Sequence, residues 1–228
     1  ALVISPVLVG LLGIAFERTL LKRFYDKDPI LGLLLTFGLS MVVEQVIRII
    51  WGSTPLQFVI PSEMKGQIIL GDFIYSRYRM LMLAVVVLVL CCIWWLLNKT
   101  AFGRVVRAGT QRPEMVAVLG IELNRYMTAV VVLGVGLAAL AGVLMAPLAG
   151  VQPAMGAEIM TAAFVVVVIG GLGSFWGVVI AALLVGVCRG VTTYFYPPAS
   201  EASMYVLMIL VLLLRPRGLL GERIERFE

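Results

Sequence analysis

Seven apolar segments, separated by short polar ones, dominate the pattern of this chain. They run over about 1–16, 30–51, 80–97, 126–149, 157–172, 175–195 and 202–214. Each approaches the ~20 residues that an α-helix needs to cross a bilayer. Because lipid offers the backbone no hydrogen-bond partner, the pattern predicts an all-α protein, a polytopic transmembrane helical bundle with about seven spans.

Composition agrees with this class. With 61% hydrophobic residues, 14% charged residues and a mean hydropathy of +1.06, the chain is unlike a soluble domain. The fifth and seventh segments are short, so helices there would just fail to cross ~30 Å of hydrocarbon unless they were extended, broken at one end or surrounded by a thinned bilayer. The chain is therefore expected to be an integral, multi-pass membrane protein.

The basic residues predict which loops face the cytoplasm. Of the 18 Lys and Arg, four lie in 17–28, five in 98–125 and four in 215–228. With seven crossings these three segments share one side, and basic loops stay on the cytoplasmic side. The opposite loops carry only Lys65, Arg77 and Arg79.

We therefore expect a single transmembrane domain over 1–228. Its parts are an outer loop at 52–79, a cytoplasmic loop at 98–125 and a cytoplasmic tail at 215–228. Because membrane orientation explains the net charge of +5, that charge predicts no nucleic-acid partner.

The chain offers little material for catalysis. It has no histidine, and its three cysteines all lie in apolar segments, so we expect no metal, no cofactor and no catalytic residue. No Gly-Lys-Ser/Thr sequence is present to cradle a phosphate. Any ATP hydrolysis is therefore expected in a separate subunit.

The basic segment between the third and fourth spans holds the run Arg112 to Gly120. Pro113 suits a first helical position, Glu114 complements the positive end of a helix dipole, and Gly120 favours a C-terminal stop. These signals predict a helix of about two turns over 113–119.

This helix has an apolar side formed by Met115, Val118 and Leu119. The side is too small to fold alone. Two interpretations stay open: the helix docks into a cleft of a partner protein, or it lies at the lipid interface.

The outer loop contains two β-prone runs around Gly71-Asp72, within 67–76, which predict a small hairpin. The hairpin would either meet an extracytoplasmic partner or cap the helix ends.

Few ionisable residues lie inside the spans. Glu44 and Arg48 are four apart on one helix, in the order that favours an ion pair, and the alternative is a role in the solute pathway. Glu158 and Arg189 would pair across helices, snorkel outward or face a zwitterionic solute.

Small residues join the fifth and sixth spans. The turn consists of Gly170, Gly171, Leu172, Gly173 and Ser174. Close helix packing or positive backbone dihedrals explain such a run, and direct contact with solute is the alternative.

Several of these motifs, in their order along the chain, resemble the permease subunits of branched-chain amino acid ABC importers. They are Gly103-Arg-Val-Val-Arg-Ala108, Gln111-Arg-Pro-Glu114, Leu119-Gly-Ile121, Gly170-Gly-Leu-Gly-Ser174 and Leu214-Arg-Pro-Arg-Gly-Leu219. The resemblance covers the chain from about residue 30 onward. Members also have a further N-terminal hydrophobic stretch, so the chain resembles a permease without its N-terminal part.

The resemblance implies partners in a bacterial cytoplasmic (inner) membrane. An extracytoplasmic binding protein would deliver an aliphatic amino acid or small amide to two permease subunits, and two ATPase subunits would drive alternating access. Coupling to the ATPase would fall to the following residues: Arg112, Pro113, Glu114, Met115, Leu119 and Gly120. Met115 and Val116 stand where the family's Glu-Ala-Ala…Gly loop has alanines.

A stand-alone channel or secondary carrier for a small polar solute, such as urea or an amide, is the rival hypothesis. Such carriers often have internal repeats and embedded charges, and no clear repeat is visible in this chain. A membrane enzyme is disfavoured because no catalytic constellation is visible.

Overall fold

The computed structural model describes residues 4–20, 29–56, 66–70, 73–111, 113–171 and 173–221. Within these ranges nine α-helices follow one another, with two short strands and one 3-10 turn. The helices are α1 Ile4–Thr19, α2 Pro29–Trp51, α3 Arg77–Lys99, α4 Ala101–Gln111, α5 Pro113–Val118, α6 Leu123–Ala149, α7 Met155–Gly170, α8 Phe175–Phe195 and α9 Ser200–Leu214. The strands are β1 Gln67–Leu70 and β2 Phe73–Ser76, and the 3-10 turn is Pro197–Ala199.

The long apolar helices fit a membrane protein, as the sequence predicted. In the described ranges, five helical segments are long and apolar enough to cross a bilayer: Leu34–Trp51, Arg77–Lys99, Leu123–Ala149, Phe175–Phe195 and Pro197–Leu214. The helix α7 is also apolar but has only 16 residues. Every one of the seven predicted segments contains a helix.

The chain divides into two compact units, Ala1–Pro153 and Ala154–Glu228. In the first unit, α1 packs antiparallel along α6. An ideal Cβ at Gly13 would lie 3.1 Å from Val135 Cγ1, and one at Gly10 would lie 3.7 Å from Val132 Cγ1. The two glycines therefore let α1 approach the valine side of α6 closely.

The helix α3 is tied to α6 by a buried tyrosine. The Tyr78 hydroxyl donates a hydrogen bond of 2.7 Å to the carbonyl oxygen of Leu144. By contrast, no described side chain of α2 between Leu34 and Trp51 is buried within this chain. This helix therefore presents apolar side chains to lipid or to further protein.

The loop before α3 contains the two strands, which pair antiparallel from Gln67↔Ser76 to Leu70↔Phe73. The predicted Gly71-Asp72 turn lies outside the described residues. Farther along, Leu56 and Val151 exchange two backbone hydrogen bonds of 2.9 Å each. This bridge joins the loop after α2 to the link after α6.

In the second unit, α7, α8 and α9 share an apolar core. Its buried members are Val165, Ile169, Ala181, Val185, Met204 and Val211. After α9 the chain folds back, and residues 215–221, here called the C-terminal clip, lie on the end of α7. Leu219 N–H donates to the Ile169 carbonyl at 2.8 Å, and Leu220 N–H donates to the Gly170 carbonyl at 3.2 Å. The clip thus satisfies two carbonyls that the end of a helix leaves unpaired.

Candidate functional site

Between α3 and α6, the chain first reverses direction sharply at the end of α3. Gly103, in the first turn of α4, faces the carbonyl group of Leu97, and a Cβ at this position would overlap the Leu97 carbonyl oxygen. Gly103 N–H donates to Thr100 Oγ1 at 3.4 Å. A glycine is therefore required where α4 turns back onto the end of α3.

The helix α4 was not predicted, although the sequence contains a signal for it. Phe102, Gly103, Val105, Val106 and Gly109 are buried or half-buried, and the residues between them are mostly exposed. This spacing is typical of an amphipathic helix. The charged residues of 98–125 favour a loop with one short helix, and this pattern outweighs the amphipathic spacing of α4.

Arg107 fastens α4 to the end of α3. Its Nη2 donates to the Leu97 carbonyl at 2.7 Å and to Asn98 Oδ1 at 2.6 Å. A helix leaves its last carbonyls without intrahelical partners, so an arginine here satisfies one of them and complements the helix dipole. The base of the segment is thereby fixed.

The short helix α5 spans Pro113–Val118. It ends one residue before the predicted limit, and Leu119 lies in the turn that follows. Gly120 has a φ of +73°, and its N–H donates to the Ala117 carbonyl at 3.0 Å. The glycine stop thus has the left-handed conformation that glycine adopts at low cost.

In and just after α5, one apolar side chain is buried and three others form an exposed apolar surface. Val116 is only 4% exposed and fixes the helix to the unit. The three predicted apolar residues are open: Met115 at 60%, Val118 at 84% and Leu119 at 75%. Glu114 is exposed as well. Sequence reasoning missed Val116, because only a three-dimensional contact distinguishes it from its apolar neighbours.

An open recess of about 550 Å³ lies beside the end of α5. The rings of Phe102 and Tyr126, 5.9 Å apart, form one wall. Gly120, Glu122 and Arg125 also line it, and Arg125 Nε forms an ion pair of 2.6 Å with Glu122 Oε2. Gly120, which lines the recess, directly follows the exposed Leu119 in the chain. Of the predicted coupling residues, Arg112 and the side chain of Pro113 lie outside the described part.

The four predicted pathway residues lie on three helices. Glu44 Oε1 and Arg48 Nη2 form an ion pair of 2.9 Å within α2, as the first interpretation expected. Glu158, in the first turn of α7, and Arg189, in α8, both have exposed side chains. Each lies about three helical turns from the point where α7 and α8 meet, so the two occupy the same level of this helix pair.

The predicted turn between α7 and α8 is tightly built. Ser174 Oγ accepts from Gly177 N–H at 3.1 Å and so caps the start of α8. An ideal Cβ at Gly171 would lie 2.5 Å from the Gly221 nitrogen of the C-terminal clip. Gly171 is therefore needed for backbone approach.

Glu17 is a buried charged residue that sequence reasoning placed in a cytoplasmic loop. It lies in α1 and is 1% exposed, and Thr128 Oγ1, on α6, donates to its Oε1 at 2.8 Å. The spacing of Gly10, Gly13 and Glu17, which places them on one helix face, was the available signal.

Comparison with known proteins identifies the family. A family model described as "branched-chain amino acid transport system / permease component" matches residues 1–214. The chain belongs to this family. It is accordingly a membrane-embedded permease component of a transport system, as the resemblance had implied.

Individual relatives agree with the family. The high-affinity branched-chain amino acid transport system permease protein LivH of Salmonella typhimurium is 28% identical over 223 residues, covering 95% of this chain and 72% of LivH. The corresponding protein BraD of Pseudomonas aeruginosa is 28% identical over 225 residues, covering 96% of this chain and 73% of BraD.

A relative with a different printed substrate also matches. The fructose import permease protein FrcC of Rhizobium meliloti is 36% identical over 110 residues, covering 45% of this chain and 31% of FrcC. No solved structure matches the chain. Permeases related to this chain thus bear names for more than one class of solute.

Proposed function

We propose that this permease component is the translocation subunit of an ATP-driven importer for branched-chain or other aliphatic amino acids. Alternating access is driven through α5, which acts as the coupling helix. The observation that carries the proposal is the free apolar surface of Met115, Val118 and Leu119 on a helix that Val116 fixes to its unit. Exposed apolar side chains on a fixed base suit a partner's cleft.

The family and this surface support a set of proposed partners. Two ATPase subunits bind the cytoplasmic side, a second permease subunit completes the pathway, and an extracytoplasmic binding protein delivers the solute. The chain itself hydrolyses no ATP. Closure of the ATPases displaces α5, and its displacement moves the membrane helices between outward-open and inward-open states.

Seven crossings of the bacterial inner membrane fit this function. The short helices α1 and α7 each pack along a helix of spanning length, α1 on α6 and α7 on α8, so each pair crosses together. With seven crossings the loop 98–125 and the tail 215–228 both lie in the cytoplasm with their basic residues. The hairpin of 67–76 then lies outside.

We place the solute pathway along the helix pair α7 and α8. Glu158 and Arg189 lie at one level of α7 and α8, near the outer end in this orientation, and together they offer opposite charges to a zwitterionic solute. Glu44 and Arg48 already satisfy each other within α2, which favours a structural role for them.

Charge reversal on α5 tests the coupling role. Glu114→Arg places a cation at the positive end of α5, and we expect uptake of leucine and co-purification of the ATPase to fall by about tenfold or more. The matched control is Glu201→Arg, since Glu201 is also an exposed acidic residue in the first turn of a helix. It should retain the ATPase.

Membrane insertion of both variants is measured in parallel. If the Glu114→Arg protein inserts normally and still binds its ATPase and takes up leucine, α5 is not the coupling helix. If both variants lose the ATPase equally, the effect is not specific to α5, and the assignment also fails.

A further inference from the structure

A buried carboxyl group joins two helices that otherwise touch through apolar side chains and glycine. In the middle of α1, the contact with α6 includes Gly10 and Gly13 against Val132 and Val135. Such apolar contacts hold helices close without a directional hydrogen bond. Glu17, at the C-terminal end of α1, is the exception.

The geometry at Glu17 is directional. Thr128 Oγ1 lies 2.8 Å from Glu17 Oε1 and 3.0 Å from the carbonyl oxygen of Asn124. The single hydroxyl hydrogen of Thr128 is shared between these two acceptor oxygens, and the 2.8 Å contact links Glu17 to the first turns of α6. An ionisable group buried between apolar helices is costly, so Glu17 is a candidate for a functional role.

Thr128 lies close to the proposed coupling helix along the chain. Arg125, Tyr126 and Ala129, which surround it in sequence, line the recess at the end of α5. The first two turns of α6 are therefore held on one side by the segment of α4 and α5 and on another by α1. A displacement of α5 can therefore reach this part of α6 both directly and through α4.

We propose that the Glu17–Thr128 contact is the joint that passes displacement of α5 and the start of α6 to α1. Glu17 and Thr128 are positioning residues, because neither is required to touch solute or ATP. The proposal rests on the proposed function, since it needs α5 to be moved by an ATPase. It adds that α1 moves with α6 as one body.

The test measures leucine transported per ATP hydrolysed by the assembled complex in proteoliposomes. Thr128→Val removes the hydroxyl at nearly constant volume, and we expect this ratio to fall about fivefold with ATPase binding unchanged. Thr128→Ser keeps the hydroxyl and should have the wild-type ratio of leucine transported to ATP hydrolysed. Glu17→Gln keeps an acceptor oxygen and should also have the wild-type ratio.

A matched control is available on α7. Thr161 is exposed, and its hydroxyl donates to the Ala157 carbonyl of its own helix at 3.0 Å. Thr161→Val should leave the ratio unchanged. A wild-type ratio in Thr128→Val would overturn the proposal, and so would an equal loss in Thr128→Ser, because packing and not the hydroxyl would then be responsible.

A second measurement applies if Thr128→Val fails to insert. Spin labels at the exposed positions Leu12 on α1 and Leu133 on α6 report the distance between the helices with and without ATP. The proposal predicts an unchanged distance during the cycle, and a change with ATP would overturn it. If the wild-type complex transports no leucine, the proposed function fails instead, so the two failures are distinguishable.

Discussion

At the scale of single residues, the glycines of this chain differ in what surrounds them. Gly103 faces the backbone of Leu97, where no side-chain movement can relieve an overlap. Gly134, in α6, has no described atom within 4 Å of its ideal Cβ apart from the nearby backbone of its own helix. Both positions are glycines within helices, and only their surroundings in the fold distinguish them.

This difference predicts the outcome of two alanine substitutions. Gly103→Ala should destabilise the protein by about 1–3 kcal/mol, because α4 must move away from the end of α3. Gly134→Ala should be neutral or stabilising by up to about 1 kcal/mol, because alanine favours helix. Thermal unfolding of the detergent-solubilised protein measures both. Equal unfolding temperatures for the two variants would contradict the reversal at Gly103.

At the scale of elements, the apolar segments were predictable because length and continuous hydrophobicity specify a membrane helix without tertiary information. The helix α5 was predictable from its start and stop residues. The helix α4 and the C-terminal clip were not recognised. Their signals are an amphipathic spacing and a pair of glycines, Gly171 and Gly218, whose meeting depends on contacts between segments distant in sequence.

The C-terminal clip yields a prediction at this scale. An ideal Cβ at Gly218 would lie 2.6 Å from the backbone of Gly171, whereas one at Gly173 meets no described atom within 4 Å. Both residues have a positive φ, +78° and +89° respectively. Gly218→Val should therefore release the clip, while Gly173→Val carries only the conformational penalty.

Limited trypsin digestion detects release of the clip, because Arg217 precedes Gly218 and is exposed. Cleavage after Arg217 should be faster in Gly218→Val than in Gly173→Val or wild type. Equal rates in the two variants would show that backbone contact with Gly171 does not hold the clip.

At the scale of the whole molecule, family membership and the charge pattern lead to one account. The basic loops predicted the orientation, and the resemblance predicted the family, which the comparison confirmed. What the sequence did not reveal is how the candidate site is held. Glu17 acts through a contact with Thr128 on α6, and Arg107 through contacts with the end of α3. Val116 differs from its apolar neighbours only in being buried, and none of these features leaves a local pattern in the sequence.

The central claim is that α5 faces the cytoplasm and binds an ATPase, and site-directed labelling tests it most directly. In a functional variant lacking Cys91, Cys92 and Cys188, Val118→Cys and, separately, Glu201→Cys are exposed to a membrane-impermeant maleimide. In intact cells only Glu201→Cys should react. In inside-out vesicles Val118→Cys should react, and the ATPase subunit should block it. Labelling of Val118→Cys in intact cells, or no protection by the ATPase, would contradict the account.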